Sequence, residues 1–420
     1  MQAILKNTVQ LFSANVVAQA LGLLAYPVLT RMYSPDDFGA LGVFVGIGSC
    51  LVLLATMEYQ YAIVLPRPER TARAVGKAAL LLLGAFTVLL LVLSPWLAKP
   101  VSAWFHSPQM AQWFWLMPFF VLGTALWNVL NHFYLRAGSF RQISRYKVVQ
   151  SLFQIGFKTG FGAIGFTSGG LLVSSVLAPC LAAVYTVVCH MRSFIRHLIP
   201  ITREEVKSAA SAYRSFPLYS TPRALVNSLS AALPALMLTH YFGLAEAGYF
   251  TLAITISSMP LSMVVGSVQQ VLFGHVSRMV QERKPLGILR RFNLRTLLVV
   301  VPVFAALWFV LPELTSWLLG GQWELSGHYI RWMLPWLVFT CLNGSICFVA
   351  DVFMEQKKGL FFEILLLLAK FVGLGLGIWK QDMVWAVAGF SLMSALALSV
   401  QLGWFHLLIR RYERSLTNGI

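Results

Sequence analysis

About twelve long apolar stretches run through this chain of 420 residues, most of them about 18 to 25 residues long. An α-helix of ~20 residues spans the ~30 Å hydrocarbon core of a bilayer. A helix also satisfies the hydrogen bonds of its own backbone N–H and C=O groups, which find no partners in the lipid core. The stretches therefore predict an all-α polytopic membrane protein. The predicted spans are residues 8–30, 38–60, 74–96, 113–135, 147–167, 170–190, 217–242, 247–273, 293–319, 330–350, 359–379 and 383–408.

Positive charge is distributed unevenly over the predicted loops. Of the 32 Lys and Arg residues, 26 lie in even-numbered loops and at the termini. The odd-numbered loops hold Arg31, Lys99, Arg331 and Lys380. Loops rich in Lys and Arg stay in the cytoplasm. The pattern predicts a multi-pass inner membrane protein with both termini in the cytoplasm.

Composition narrows the class of function. Apolar residues are 58% of the chain, and the net charge of +17 is accounted for by basic loops facing anionic lipid headgroups. We therefore expect membrane lipids, and not nucleic acid, as partners. The loops are too short for a soluble catalytic domain, so we expect no enzyme, metal or cofactor. Thr202 is predicted to cap a short surface helix in the longest of the inward loops.

The two halves of the sequence resemble each other. Residues match after a shift of 209 positions near the first and seventh spans, and of 212 positions near the fifth and eleventh. The matched positions include Val28–Tyr33 with Met237–Phe242, Asp37 with Glu246, Gly39 with Gly248, and Lys158 with Lys370. Six plus six helices in parallel repeat, with a ligand between the halves, is a recurring transporter plan.

This repeat predicts the domain organisation. We expect an N-terminal lobe of six helices over 1–190, a cytoplasmic linker over 191–216 and a C-terminal lobe over 217–420. A central cavity is expected between the two lobes.

Two lysines fall inside predicted spans. Lys158 lies 11 residues beyond Lys147, and Lys370 lies 12 residues beyond Lys358. At ~1.5 Å per residue both would lie ~16–18 Å into the membrane. A lysine at that depth costs on the order of 2.5–3.5 kcal/mol to insert. Matching positions in the two halves favour a shared water-filled cavity.

Polar residues with helical spacing accompany these lysines. Gln150 and Gln154 form one stripe with Lys158, and Arg223 and Asn227 share a face of the seventh span. The alternative is a hydrogen-bonding seam between helices, or, for Arg223, a side chain that snorkels to the surface. A cationic cavity suits phosphate or diphosphate, and amides with aromatic rings suit sugars. The candidate substrate-binding residues are Lys158, Lys370, Arg223, Gln150, Gln154 and Asn227.

Four segments of the sequence stand out: Leu29–Gly39, Tyr61–Pro66, Phe216–Pro222, and the loop from Gly321 through Gly327 to Trp336. Together they resemble the polysaccharide-transporter branch of the multidrug/oligosaccharidyl-lipid/polysaccharide superfamily, the bacterial polysaccharide and O-antigen flippases. The chain departs from the family where Glu58-Tyr59-Gln60 replaces an Arg-Tyr-Glu triplet, and where Arg223 follows Thr-Pro.

The resemblance implies a twelve-helix, two-lobed flippase with a cation-rich central cavity. Such proteins move undecaprenyl-diphosphate-linked oligosaccharides from the cytoplasmic to the periplasmic leaflet by alternating access, for O-antigen, capsule or exopolysaccharide synthesis. A polymerase and a chain-length regulator of the same pathway are the implied protein partners.

Two other functions remain open. An ion-coupled multidrug exporter of the same superfamily would need carboxylates in the membrane, whereas the deepest charges here are lysines. A membrane polymerase or glycosyltransferase would usually show a sizeable outward loop, and the odd-numbered loops are short.

Overall fold

A computed structural model describes the backbone of residues 2–198, 201–353 and 355–417. Side chains are described over 16–416 within these ranges, apart from 168, 190–198, 270, 274, 277, 281, 351, 356 and 357.

All regular secondary structure in the described part of the chain is helical, which confirms the predicted fold class. Twelve long helices lie at the twelve predicted spans. They are α1 (Gln2–Met32), α2 (Pro35–Thr56), α3 (Glu69–Trp104), α4 (Met117–Arg136), α5 (Phe140–Ala163), α6 (Thr167–Leu198), α7 (Thr221–Phe242), α8 (Leu244–Gln281), α9 (Gly287–Leu319), α10 (Glu324–Ile346), α11 (Gln356–Lys380) and α12 (Met383–Thr417). Four short helices lie between them, at Tyr59–Ala62, Pro108–Trp113, Arg203–Ala212 and Val349–Val352.

Eight of the long helices are long and apolar enough to cross a membrane by themselves. The other four are α1, of which only Val16–Met32 enters this comparison, and the more polar α5, α7 and α10. Helices α5 and α7 carry five of the six candidate residues, and these polar groups contribute to their lower hydropathy. The protein is a multi-pass membrane protein.

Local sequence signals begin two of these helices. Ser34 Oγ accepts a hydrogen bond from the Asp37 backbone N–H, and an Asp37 carboxylate oxygen accepts from the Ser34 N–H at 3.0 Å. Thr202 and Glu205 make the same reciprocal cap on the short helix Arg203–Ala212, as predicted. Each cap satisfies backbone donors that the first helical turn cannot pair internally.

Backbone contacts divide the chain into two compact units, Met1–Gly248 and Tyr249–Ile420. Helix α7 belongs to the first unit because it packs on α2, where Ser49 Oγ lies 3.1 Å from Ser228 Oγ. The predicted lobes follow the sequence repeat and place α7 in the second half. That division remains a prediction about the repeat.

In the first unit, α1 packs along α5 and runs parallel to it. Ser151 Oγ donates to the Ala18 carbonyl oxygen at 2.9 Å, and further along both helices Tyr33 Oη donates to the Lys158 carbonyl oxygen at 2.7 Å. Helix α5 also packs on α6. One face of α5 is thus fixed against a helix more than 100 residues away in sequence.

In the second unit, α11 and α12 pack closely through small residues. A Cβ atom on Gly373 would lie 2.3 Å from the Gly389 carbonyl oxygen, and one on Gly377 would lie 2.1 Å from the Ala386 nitrogen. Small residues let two membrane helices approach backbone to backbone and gain dispersion energy. This contact fixes the face of α11 that carries Lys370.

Candidate functional site

Lys158 is buried on the face of α5 next to α1, with 7% of the residue exposed. The hydroxyl of Tyr33, just beyond the end of α1, bonds the backbone of Lys158 and fixes this turn of α5. Within the described part of the chain, no carboxylate lies within ion-pair distance of the Lys158 ammonium. A buried ammonium without a carboxylate is costly unless water or an anion solvates it.

Glycines shape both sides of α5 around Lys158. Gly162 lies against α1, where a Cβ atom would meet Met32 Sδ at 2.8 Å. On Gly156 and Gly160 a Cβ atom would meet nothing within 4 Å. The first glycine therefore allows α1 to close on α5, and the other two leave open space beside the lysine.

A row of aromatic rings runs along α5 beside the polar stripe. Phe153 and Phe157 stack with centroids 5.9 Å apart, and Phe157 and Phe161 stack at 6.1 Å. The row continues edge-to-face through Phe166 at 5.6 Å to Trp113 at a further 5.5 Å. The four-residue spacing of the phenylalanines was the signal in the sequence for this row, which our prediction did not use.

Lys370 is buried on α11, with 8% of the residue exposed. Its Nζ lies 6.0 Å from the centroid of the Phe390 ring, at the outer limit of a cation–π contact. Phe390 is itself packed edge-on against Phe250 and tilted against Trp336. Lys370 thus lies beside an aromatic cluster of the second unit.

The two lysines differ by about one helical turn in their positions relative to the helix ends. Lys158 lies five residues before α5 ends at Ala163, whereas Lys370 lies ten residues before α11 ends at Lys380. At ~1.5 Å per residue, these separations are ~7.5 and ~15 Å. Counted from Lys147 and Lys358 near the opposite helix ends, the two lysines lie at similar depths.

The remaining candidate residues all lie in the first unit. Gln150 and Gln154 are half-buried on α5, about two turns and one turn before Lys158, respectively. Arg223 and Asn227 are exposed on α7. Because α5 packs on α1 and α6 while α7 packs on α2, the structure keeps these two polar stripes on separate helix pairs.

The segments that begin α2 and α8 meet in a contact between two glycines and two backbone carbonyls. A Cβ atom on Gly39 would lie 2.1 Å from the Leu244 carbonyl oxygen, and one on Gly248 would lie 1.8 Å from the Pro35 carbonyl oxygen. Residues 35 and 39 become 244 and 248 after the shift of 209 that relates the two halves. The contact is therefore reciprocal, as expected at a two-fold axis. We call these four residues the glycine contact.

A polar pocket of about 530 Å³ lies beside the glycine contact. Gln109 Nε2 donates to Asp37 there at 3.3 Å. The pocket is lined by Met32, Ser34, Asp36, Asp37, Pro108, Gln109, Thr167 and Leu244. In the predicted topology this pocket and the glycine contact belong to the outward side.

Glu58 follows the end of α2 and is buried, with 6% of the residue exposed. Its carboxylate accepts a hydrogen bond from Gln60 Nε2 at 3.2 Å. Burial raises the pKa of Glu58 to about 7, although the Gln60 hydrogen bond lowers it. Met57 and Glu58 both have positive φ angles, 46° and 60°, a conformation that non-glycine residues rarely adopt. The departure from the family triplet thus coincides with a strained turn.

Arg136 at the end of α4 fixes the loop that follows Glu58. Its guanidinium donates to the carbonyl oxygens of Ile63 at 3.0 Å, Pro66 at 2.7 Å and Arg67 at 3.2 Å. This loop contains Tyr61–Pro66, one of the segments by which the family was identified. One side chain of the first unit therefore holds the whole motif in place.

Most of the chain matches the model of one known protein family. Residues 28–327 match the model of a family described as polysaccharide biosynthesis protein. This chain belongs to that family. The match covers the segments with the Gly39 and Gly248 contact, α5 and α7, and it confirms the resemblance noted in the sequence.

A curated relative and several solved structures are similar to this family member. The succinoglycan biosynthesis transport protein ExoT of Rhizobium meliloti (strain 1021) is 22% identical over 345 residues, which are 81% of this chain and 66% of the relative. The chain therefore spans about two thirds of the length of that relative.

The solved structures show the fold. A multidrug resistance MATE family transporter of the MOP superfamily, in an inward-facing conformation, aligns with a TM-score of 0.68 at 13% identity, over 94% of this chain and 96% of that one. The lipid II flippase MurJ, in an inward closed conformation, aligns with a TM-score of 0.65 at 13% identity, over 97% and 91%. The protein is a multi-pass membrane protein of a polysaccharide biosynthesis family, and it has the fold of these solved structures.

Proposed function

We propose that the protein is a flippase that moves undecaprenyl-diphosphate-linked oligosaccharides from the cytoplasmic to the periplasmic leaflet by alternating access. It acts in the bacterial inner membrane, with both termini in the cytoplasm, and supplies O-antigen, capsule or exopolysaccharide synthesis. Its two six-helix lobes, 1–190 and 217–420, are joined by the linker 191–216. A polymerase and a chain-length regulator of the same pathway are the proposed protein partners.

The observation that carries this proposal is the buried Lys158. A transported anion that enters the site replaces the water that otherwise solvates the ammonium, so the protein gains electrostatic energy only while the anion is present. A diphosphate provides such an anion on every lipid-linked glycan. Lys370 on α11 provides a second buried cation, and Arg223 on α7 provides a third cation near the expected entrance.

The surroundings of Lys158 suit the sugar part of the same substrate. Gln150 and Gln154 present amide donors and acceptors to hydroxyl groups. The row of Phe153, Phe157 and Phe161 presents ring faces and edges against which sugar rings pack. Asn227 on α7 adds an exposed amide on the other polar stripe.

The names of the similar proteins support this choice of substrate. ExoT is a transport protein of succinoglycan biosynthesis, and MurJ is a flippase of lipid II. The lysines also favour an anionic substrate over the drugs handled by a multidrug exporter of the same fold.

The test is leaflet transfer in proteoliposomes. Purified protein is reconstituted with a labelled undecaprenyl-diphosphate oligosaccharide, and an impermeant sugar-modifying reagent reports which leaflet holds the label. We expect protein-dependent exposure of inner-leaflet label. Lys158→Ala and Lys370→Ala should each lower transfer at equal reconstituted protein, whereas Lys99→Ala in an outward loop should not.

Two results would refute the proposal. Equal transfer by all three variants would remove the lysines from the site. No transfer of several lipid-linked glycans, together with uptake of a small organic cation, would identify an exporter instead.

A further inference from the structure

A groove lies along the C-terminal half of α12, outside the candidate site. It has a volume of about 580 Å³. Its lining residues are Phe362, Val400, Gly403, Trp404, His406, Leu407 and Arg410. No carboxylate is among them.

The first part of the groove is apolar and open. Val400 is 57% exposed and Leu407 is 53% exposed. A Cβ atom on Gly403 would meet nothing within 4 Å, so the floor between them is empty. Phe362 of α11 stacks on Trp404 at 4.8 Å and forms the side wall. This part has the width and polarity of a binding site for a hydrocarbon chain.

The other end of the groove is basic. Arg410 lies ten residues beyond Val400, ~15 Å further along α12. Arg410 and Arg290 of α9 both lie close enough to the His406 ring to interact with it electrostatically. Two helices therefore bring two arginines and an imidazole to one end of an apolar groove.

A buried amide holds this basic end together. Asn293 of α9 is 5% exposed, and its Nδ2 lies 3.4 Å from His406 Nε2. The other amide atom, Oδ1, is buried and has no hydrogen-bond partner among the described residues. If the amide is turned over, the unpaired atom is a donor instead of an acceptor. In either orientation, a polar side chain behind His406 retains one unused hydrogen bond.

We propose that this groove binds one anionic phospholipid of the cytoplasmic leaflet. The phosphate lies between Arg410, His406 and Arg290, and one acyl chain lies over Gly403 between Val400 and Leu407. The predicted topology places the C-terminal end of α12 at the cytoplasmic side, where anionic lipid is found. The arrangement of a cationic end and an apolar groove matches the headgroup and chain of a phospholipid.

Charge complementarity favours an anionic phospholipid over a free phosphate ion and over a zwitterionic phospholipid. A free phosphate ion would use the basic end and make no contact with the apolar walls. A zwitterionic phospholipid would use the walls but would bring its own cation to the two arginines. An anionic phospholipid satisfies both parts of the groove.

The test compares lipid retention by the purified full-length protein in detergent, measured by native mass spectrometry with phosphatidylglycerol and phosphatidylcholine. We expect the wild type to retain phosphatidylglycerol preferentially. Arg410→Gln should lower its retention about five- to tenfold, the change expected for one basic group at a lipid phosphate. Gly403→Leu should lower it to a similar extent without changing the charge, because it fills the floor.

Arg411→Gln is the matched control, since Arg411 is an exposed neighbour with the same charge outside the groove. Equal loss in Arg411→Gln and Arg410→Gln would show a diffuse surface charge and overturn the proposal. Equal retention of the two lipids by the wild type would overturn it as well. Stronger retention of undecaprenyl phosphate than of phosphatidylglycerol, abolished by Gly403→Leu, would reassign the groove to the carrier lipid.

Discussion

The glycine contact provides a sharp test of how the first unit is held together. In Gly248→Ala, the new Cβ atom would lie 1.8 Å from the Pro35 carbonyl oxygen. The obstacle is backbone on both sides, so no change of side-chain rotamer relieves it. Ordinary contact begins at 3.4 Å, so the first turns of α2 and α8 must separate by about 1.6 Å.

Overpacking of this kind costs ~1–3 kcal/mol. If the closed contact is one of two conformations, that cost shifts the equilibrium towards the open one by about 5- to 150-fold. The buried Ala247 lies beside the contact and is fully covered in the closed state. Its accessibility therefore reports the separation.

The assay measures how fast an impermeant maleimide labels Ala247→Cys from the outward side, in a background without the five native cysteines. We expect labelling to become at least fivefold faster when Gly248→Ala is added. Gly84→Ala is the matched control, because a Cβ atom at Gly84 in α3 meets nothing within 4 Å. Equal labelling rates with Gly248→Ala and Gly84→Ala would refute the reasoning that the close approach of α2 and α8 covers Ala247.

Three further predictions follow from other parts of the structure. Phe157→Ala interrupts the aromatic row on α5 and should slow transfer of lipid-linked glycans several-fold. Leu152→Ala, on an exposed face of α5, should not slow it. An equal effect of the two substitutions would contradict a role of the row in transport. Burial raises the pKa of Glu58 to about 7, so the folded state binds an extra proton between pH ~4.5 and 7. The melting temperature of the wild type should therefore fall as pH rises through that window, and that of Glu58→Gln should fall less. Identical pH profiles of the two proteins would contradict the burial of Glu58. The backbone hydrogen bond from Thr202, and then the side-chain hydrogen bond from Arg70, lower the pKa of Glu205. Protection of the backbone amides in helix Arg203–Ala212 should therefore be present above pH ~4.5 and fall below it. Glu205→Gln should remove this pH dependence of hydrogen exchange.

Hydropathy sufficed to locate the twelve long helices, because length and apolarity are the requirements that lipid places on a spanning segment. The ends were less well predicted. Helix α3 extends from Glu69 to Trp104, well beyond the predicted 74–96, and α12 continues to Thr417. Helices do not stop where hydrocarbon stops, and polar residues with good helix propensity extend them into the interface.

From the sequence, the candidate site could be predicted only as separate polar stripes on individual helices. The depth of Lys158 and Lys370 within their spans predicted a shared water-filled cavity. Both lysines are buried within their own units, and the shared cavity stays a prediction. The pairing of Lys158 with Tyr33 depends on α1 lying against α5, which is a long-range contact that no local pattern encodes. Glu58 lies just beyond α2, where a turn with two left-handed residues buries it. Such a turn has no glycine to mark it in the sequence.

The reciprocity of the glycine contact has a consequence for how substitutions combine. Gly39→Ala alone requires a separation of about 1.3 Å from Leu244, and Gly248→Ala alone requires about 1.6 Å from Pro35. A single rigid displacement of α2 from α8 relieves both clashes at once. The two substitutions should therefore be strongly non-additive, and the double variant should cost little more than the more severe single one. Gly39 and Gly248 occupy equivalent positions of the sequence repeat. In a double-mutant cycle they would therefore act as a single element.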